Sequence, residues 1–492
     1  MNTNAPEINV VWLKRDLRLE DNEAISNALA SGRRTLLLYV FETMLIEDDH
    51  YSKRHWDFVK ESIKDLNLCL KPYHSKVLTV KSDIITAINQ LMECYTIRNV
   101  YSHQETGILI TYNRDKSFNR FCKNNLITWH ENINNGVQRG LKDREQWINL
   151  CNAYFELQPL VFTPQENQLL HLREIEQLET LLHVPSLVTN NNSVFQKGGR
   201  TIGQKYLQSF LEKRYVNYMF HISKPELSRT SCSRISPYLA WGNISVREVY
   251  RKTYLLNETL SNKKPLEAFM SRLRWQSHFI QKFEMEHTME KESLNKGFQK
   301  LKKHVSETYQ KAWKNGKTGY PLVDAAMRCL NETGYLNFRM RALVVSFFTH
   351  NLWQPWQAAS RHLSQQFLDF EPGIHYPQLQ MQAGETGTNM LRIYNPIKNS
   401  LEHDPDAVFI KKWVPELRHL EIPLAHQPFL MTEMEQQFYN FKLGIDYPLP
   451  VVDIEETRKK ATEILWNLRK NKKVKDENKR ILKKHTLAKS KN

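Results

Sequence analysis

Ser233-Arg234-Ile235-Ser236-Pro237-Tyr238-Leu239-Ala240-Trp241-Gly242-Asn243 is the stretch on which the reading of this chain turns. Two serines bracket an arginine, a proline follows where a helix can begin, and an aromatic turn comes next. Ser233 and Ser236 are placed to cap the helix, and Pro237 suits its first position. The free backbone N–H groups of that turn then face an anion. Arg234 adds a guanidinium fork of the kind that grips phosphate. An ordinary capped helix carrying a surface arginine satisfies Ser-x-x-Ser-Pro equally well, so the segment needs support from the rest of the chain.

The chain has 492 residues, long enough for two domains with extensions. Hydrophobic residues at 41% with 25% charged describe a globular protein, and 11 Trp, 20 Tyr and 22 Phe suit one that stacks planar rings. Lys and Arg outnumber Asp and Glu by 69 to 53, a net +16 that favours a polyanionic partner such as nucleic acid, with a basic tail supplying part of it. The 6 cysteines are scattered without Cys-x-x-Cys, which reads as buried free thiols in a reducing compartment. None follows Cys329, so the C-terminal part has no thiolate set for an iron–sulfur cluster. Met1 to Asn9 is polar and no run approaches the length of a membrane span. The expectation is a soluble, cytoplasmic monomer without membrane attachment.

Short apolar runs at Ile8–Leu13, Leu36–Phe41, Lys76–Val80 and Ile97–Tyr101 alternate with helical patterns such as Asp57–Leu70. That alternation predicts an α/β domain with a doubly wound parallel sheet over residues 1–132. No Gly-x-Gly-x-x-Gly follows the first run. Residues 133–200, with several prolines, Asn190-Asn191-Asn192 and modest helical stretches, read as a connector. From 201 to 450 helical spacing dominates, as in the buried face Leu343, Val344, Phe347, Phe348 and Leu352, and an all-α domain is expected. Residues 451–492 read as a basic C-terminal tail, either a solvated helix end or a weak phosphate attractor.

Other segments agree with the opening one in order. Val11-Trp12-Leu13-Lys14-Arg15-Asp16-Leu17-Arg18-Leu19-Glu20-Asp21-Asn22, then Trp313 with Gly316 to Arg328, Gly334-Tyr335-Leu336-Asn337-Phe338-Arg339-Met340-Arg341, Arg392 to Pro396 and Phe409 to Leu417 together resemble the photolyase/cryptochrome flavoproteins. Within that family the chain is similar to a divergent bacterial deoxyribodipyrimidine photolyase, over roughly Val10 to Pro450. The resemblance implies an antenna-type α/β domain joined to a helical FAD-binding domain. It implies FAD as cofactor, and an antenna chromophore of folate or deazaflavin type that no local motif identifies.

Carried over by position, Ser233, Arg234, Ile235 and Ser236 fall on the pyrophosphate segment, with Tyr218 at the family's phosphate-contacting tyrosine. Arg341 matches the arginine paired with an acid beside the flavin ring, and Asp369, 28 residues on, falls where that acid belongs. Glu371 takes the second acidic position. Trp275 resembles the tryptophan walling the lesion pocket, against the alternative of a core tryptophan, and Arg339 is a phosphate or lesion contact. Trp356 matches the middle member of the family's tryptophan relay.

The departures are informative. His375 stands where dimer photolyases place an asparagine against the flavin's reactive nitrogen, either to donate a hydrogen bond or carry a proton, or as a packed histidine. Leu379 holds the relay position nearest the flavin, with only Lys303-His304 near the outer one, leaving Trp353, Tyr376 or another aromatic as routes. Arg272 replaces a glutamate and Phe338 an asparagine of the lesion pocket. No histidine occupies Phe338 or Ala342, which argues against (6-4) repair. The implied function is a photolyase-type lyase: blue-light-driven repair, with reduced FAD giving an electron to a flipped cyclobutane dimer in pyrimidine-dimer DNA. The alternative is a cryptochrome-like photoreceptor signalling through flavin redox change.

Overall fold

A computed structural model describes residues 5–189 and 194–486; the Asn190–Asn192 cluster lies outside them. Five parallel strands form one sheet: β1 Glu7–Leu13, β2 Arg34–Glu42, β3 Leu78–Ser82, β4 Thr96–His103 and β5 Thr128–Asn132, in the order β3-β2-β1-β4-β5. β1 is the centre, which explains its unbroken apolar run: both of its faces are covered. Alternate residues serve different cores. Val11 and Leu13 join a cluster that continues into the helical domain, whereas Ile8, Val10 and Trp12 face the outer helices. β5, Thr-Trp-His-Glu-Asn, is a half-buried edge strand whose polar sequence carries no apolar run to betray it.

The chain leaves β1 at the point where strand order reverses, and the turn that follows grips the helical domain. Arg15 Nε donates to the carbonyl of Ala240 at 3.0 Å, Arg18 to that of Gly242 at 3.1 Å, and Asn243 to that of Leu17 at 3.1 Å. Asp21, fully buried, binds Arg247 and Ser245. Gly242 has φ +71°, and a Cβ there would lie 2.2 Å from the Arg15 carbonyl oxygen, so the seam admits only glycine. Trp241-Gly242-Asn243 is therefore a domain clasp.

One region differs from its sequence reading, and the modest helical stretches expected in the connector pack into both cores. The stretch read as a connector builds helices Trp147–Glu156 and Leu172–Leu181; Trp147 and Phe155 enter the main core, while Ile175 and Leu178 cover the outer face of the sheet. The stretch read as a tail forms helices Ile454–Arg469 and Lys472–His485, docked through Ala461, Leu465, Val474 and Ile481. Its lysines hide a narrow apolar stripe at helical spacing. Within the described residues no helix is long and apolar enough to cross a membrane, and no cluster of His, Cys, Asp and Glu could hold a metal ion. Of the cysteines, all free, Cys69 is exposed and Cys94 half-buried, contrary to a uniformly buried set.

Glu286, at the end of the long helix Lys264–Met285, holds the last helix through Arg480 at 2.9 Å and His485 Nε2 at 2.9 Å. Burial raises its carboxyl, but the hydrogen bonds from His485 and Arg480 and the charges of Arg480 and Lys484 bring it down to about 2. Because the folded value lies below the unfolded 4.5, this contribution is complete above pH 4.5 and lost as pH falls from 4.5 through 2. In that window amide exchange in Lys472–His485 should rise before exchange in Lys264–Met285. Equal protection of both helices at pH 3 and 6 would refute the coupling.

Candidate functional site

Helix Phe338–Ser346 starts at Asn337, whose side chain accepts from Met340 N, and this fixes the direction of Arg341. Arg341 Nη2 donates to both oxygens of Asp369, at 3.0 and 2.7 Å, its Nε to the carbonyl of Leu336 at 2.9 Å, and its guanidinium lies 3.9 Å over Phe367. Leu336, Met340, Phe367 and Phe370 around the pair are buried, yet the Arg341 side chain is 31% exposed. An ion pair left part-open within an apolar layer is shaped to meet another polar group.

His375 sits one turn into helix Pro372–Gln382. Its Nε2 lies 3.1 Å from both the hydroxyl and the carbonyl of Ser360; a carbonyl only accepts, so Nε2 carries the proton. Nδ1 is then a lone pair with no protein partner. Burial, with the nearby His50 and Arg341, pushes the imidazole down to about 3. Of the two expectations, this geometry matches the packed, hydrogen-bonded histidine, with Nδ1 left as an acceptor. Glu371 caps its own helix through Gly373 N and pairs with Arg15 of the first domain at 3.7 Å, so it belongs to the clasp rather than to the pair beside it. Burial raises its carboxyl and Arg15 works against that.

The helix at the opening segment spans Ser236–Ala240 with Ile235 at the N-cap, and neither serine side chain caps it. Both hydroxyls consequently remain uncommitted. Arg234 adopts φ +59°, spends Nη2 on Gln196 Oε1 at 2.9 Å and Nη1 on the carbonyl of Arg229, and stacks 3.8 Å over Tyr335. Only its buried Nε lacks a partner. The expected free fork is therefore partly engaged; two hydroxyls and the guanidinium N–H groups not spent on Gln196 and Arg229 are what the segment offers an anion. Tyr218 is buried between Phe210 and Phe269, and burial raises its phenol, while its hydroxyl interacts with Arg272.

Arg272 and Trp275 lie one turn apart on helix Lys264–Met285, and Arg272 reaches Phe338 of the helix that carries Arg341. The Trp275 ring is 47% exposed, which rules out the core alternative, and Arg272 lies 5.6 Å over the Phe338 ring. Arg339 reaches Tyr394 OH at 3.4 Å and keeps an unpartnered Nε. Gly373 seats this helix against Pro372–Gln382, where a Cβ would lie 2.8 Å from Ile280 Cα.

Trp356 is fully buried and donates from Nε1 to Glu385 at 3.1 Å. Leu379 is buried and aliphatic, and the aromatic beside Trp356 is Tyr376, with ring centroids 6.3 Å apart. Lys303 Nζ pairs with Glu385 and lies 5.0 Å over Trp353. Sequence reasoning missed His50, which the fold brings to Tyr376 across 326 positions with no local signal.

The part-open ion pair, the unpartnered imidazole nitrogen and the uncommitted hydroxyls fit a planar polar ring carrying phosphates. Residues 9–135 match the family model described as DNA photolyase, and residues 269–467 that of the FAD binding domain of DNA photolyase. The chain is 25% identical to a deoxyribodipyrimidine photo-lyase of Alkalihalophilus pseudofirmus, over 93% of this chain and 98% of that one. It is 26% identical to a cryptochrome DASH of Gloeobacter violaceus, over 93% and 95%. Among solved structures it is similar to a Synechocystis cryptochrome, with TM-score 0.85, 22% identity and coverage of 94% and 100%. It is also similar to a class III photolyase of Agrobacterium tumefaciens, with TM-score 0.81, 22% identity and coverage of 96% and 100%. With both domains matched, the chain belongs to the photolyase/cryptochrome family.

Proposed function

We propose that this protein repairs cyclobutane pyrimidine dimers in DNA under blue light, as a photolyase-type lyase. The observation that carries the reading is the half-exposed Trp275, one helical turn from Arg272, which itself lies over the exposed ring of Phe338 next to Arg339, an aromatic and cationic surface. Bases stack on exposed aromatics, and a flipped lesion needs such a wall. When bound, reduced FAD supplies the electron that opens the cyclobutane ring on excitation.

The residues then divide the work. Arg341 and Asp369 orient the polar edge of the ring, and His375 Nδ1 accepts at its reactive nitrogen. Ser233 and Ser236 meet the pyrophosphate, with Arg234 and Ile235 holding that turn and Tyr218 packed behind it. Phe367 and Phe370 exclude water. Arg339 and the net charge of +16 draw the phosphate backbone. An open surface hollow lined by Met44, Glu47, Asp48, Ile110, Asn113 and Arg114 would take an antenna chromophore in this reading.

A cryptochrome-like photoreceptor is the second reading, favoured by the Arg272–Phe338 contact, which leaves no carboxylate or amide there for a dimer. The test is chemically reduced, flavin-loaded protein with dimer-containing DNA, in blue light against dark. Light-dependent recovery of intact pyrimidines is expected. A photoactive flavin with no dimer split, in single- or double-stranded DNA, would give the photoreceptor reading the lead.

A further inference from the structure

Tyr376 carries a short side-chain contact near the proposed flavin site, and it crosses the domain seam. Its hydroxyl lies 2.5 Å from Nε2 of His50, and His50 Nδ1 lies 2.6 Å from Asp48 Oδ1. A carboxylate only accepts, so His50 carries its proton on Nδ1, and its Nε2 lone pair takes the hydrogen bond from the phenol. Burial lifts the Asp48 carboxyl, but the His50 bonds bring it below its ordinary value, so it is an anion. The rings are held: Phe370 stacks on His50 at 5.9 Å and Phe283 on Tyr376 at 5.6 Å. Tyr376 itself is 1% exposed, and its ring lies 5.3 Å from that of His375.

A buried phenol is a poor one-electron donor if it must become a cation, because nothing solvates the charge. Loss of the proton together with the electron removes that obstacle, provided a base is already in contact and its new charge is neutralised. His50 is that base and Asp48 that counter-ion. No tryptophan fills the position at Leu379, and the Trp356 ring lies 6.3 Å from that of Tyr376.

We propose that Tyr376 is the electron donor that reduces the flavin in the light, with His50 as its proton acceptor and Asp48 as the group that positions and charges His50. This rests on the reading that flavin lies against His375. Tyr376 gives one electron to the light-excited oxidised flavin; the phenolic O–H bond breaks and an N–H bond forms at His50 Nε2. A neutral tyrosyl oxygen and an imidazolium–carboxylate pair remain. An external thiol restores the tyrosine: it gives one electron to the tyrosyl oxygen and releases its proton to solvent, His50 Nε2 returns the phenolic proton, and two thiyl radicals formed in two such turnovers couple to a disulfide.

The test is electron paramagnetic resonance of FAD-loaded protein frozen under blue light, from chains grown with ordinary or ring-deuterated tyrosine. A tyrosyl signal that narrows on deuteration is expected, and Tyr376→Phe should abolish it. His50→Gln keeps a hydrogen-bonding group but cannot take the proton, so the signal and the photoreduction rate should fall about tenfold or more. That variant retains the tyrosine and carries the test if Tyr376→Phe fails to fold. An undiminished tyrosyl signal in Tyr376→Phe or in His50→Gln, or a purely tryptophanyl signal in the unsubstituted protein, overturns the assignment. Protein that binds no FAD overturns the flavin reading and this one together; protein that binds FAD and photoreduces it without a tyrosyl overturns this one alone.

Discussion

Arg341→Ala is expected to purify largely without flavin. The guanidinium holds Asp369 through two hydrogen bonds and rests on Phe367, so truncation removes both the cation and the orientation of the acid. Removing one partner of a buried, hydrogen-bonded charge pair costs about 2–5 kcal/mol, much of it from the charge left behind. The 31% exposure of Arg341 argues for the lower end, because water screens the orphaned carboxylate. A loss of about 2 kcal/mol is roughly 30-fold in dissociation constant. Arg341→Lys should fall between, keeping the charge without the fork. The check is the ratio of flavin to protein absorbance after gel filtration, alongside the thermal midpoint. Full flavin retention by Arg341→Ala would remove this residue from the site.

Asp21→Ala should be the most damaging single change to stability. Asp21 is completely buried and accepts from Arg247, from Ser245 and from Leu160 N at 3.0 Å, with Arg247 itself 5% exposed. Alanine leaves a cation and two further donors without a partner in the seam between the domains. Breaking a buried pair costs about 3–5 kcal/mol, which for a protein of this size lowers the midpoint by about 3–5 °C. Replacing both residues, Asp21→Ala with Arg247→Met, should recover part of the loss, since no charge then remains unpaired. Calorimetry decides: a shift of only a degree or two in Asp21→Ala would mean that water reaches Arg247 and the seam is looser than described.

What could be read from the sequence follows burial. β1, β2 and β4 lie inside the sheet and the edge strand β3 buries Leu78, Thr79 and Val80, so all four betray themselves as apolar runs, whereas β5 is only half-buried and its Thr-Trp-His-Glu-Asn does not. Ile175 and Leu178 were obscured by the prolines and asparagines around them, and Val474 and Ile481 by lysines. Arg341 and Asp369 were legible only through a matched spacing, since each alone is an ordinary surface type. For Glu371, spacing identifies a position in the chain but not the direction in which the carboxylate turns, and here it turns to Arg15. The contact between Tyr376 and His50 exists only because the two domains close on each other.

The docking of Lys472–His485 onto Glu286 also has a consequence in time. Lys484, His485 and their partners are separated by 199 positions. At about 5–20 residues per second, a ribosome needs on the order of ten to forty seconds to deliver the second half of that contact after the first. Throughout that interval the growing chain presents an unpaired acid and the bare apolar floor that Val474 and Ile481 will cover. Nascent chains of this protein should thus engage holding chaperones late in synthesis, and release them only when the final helix arrives.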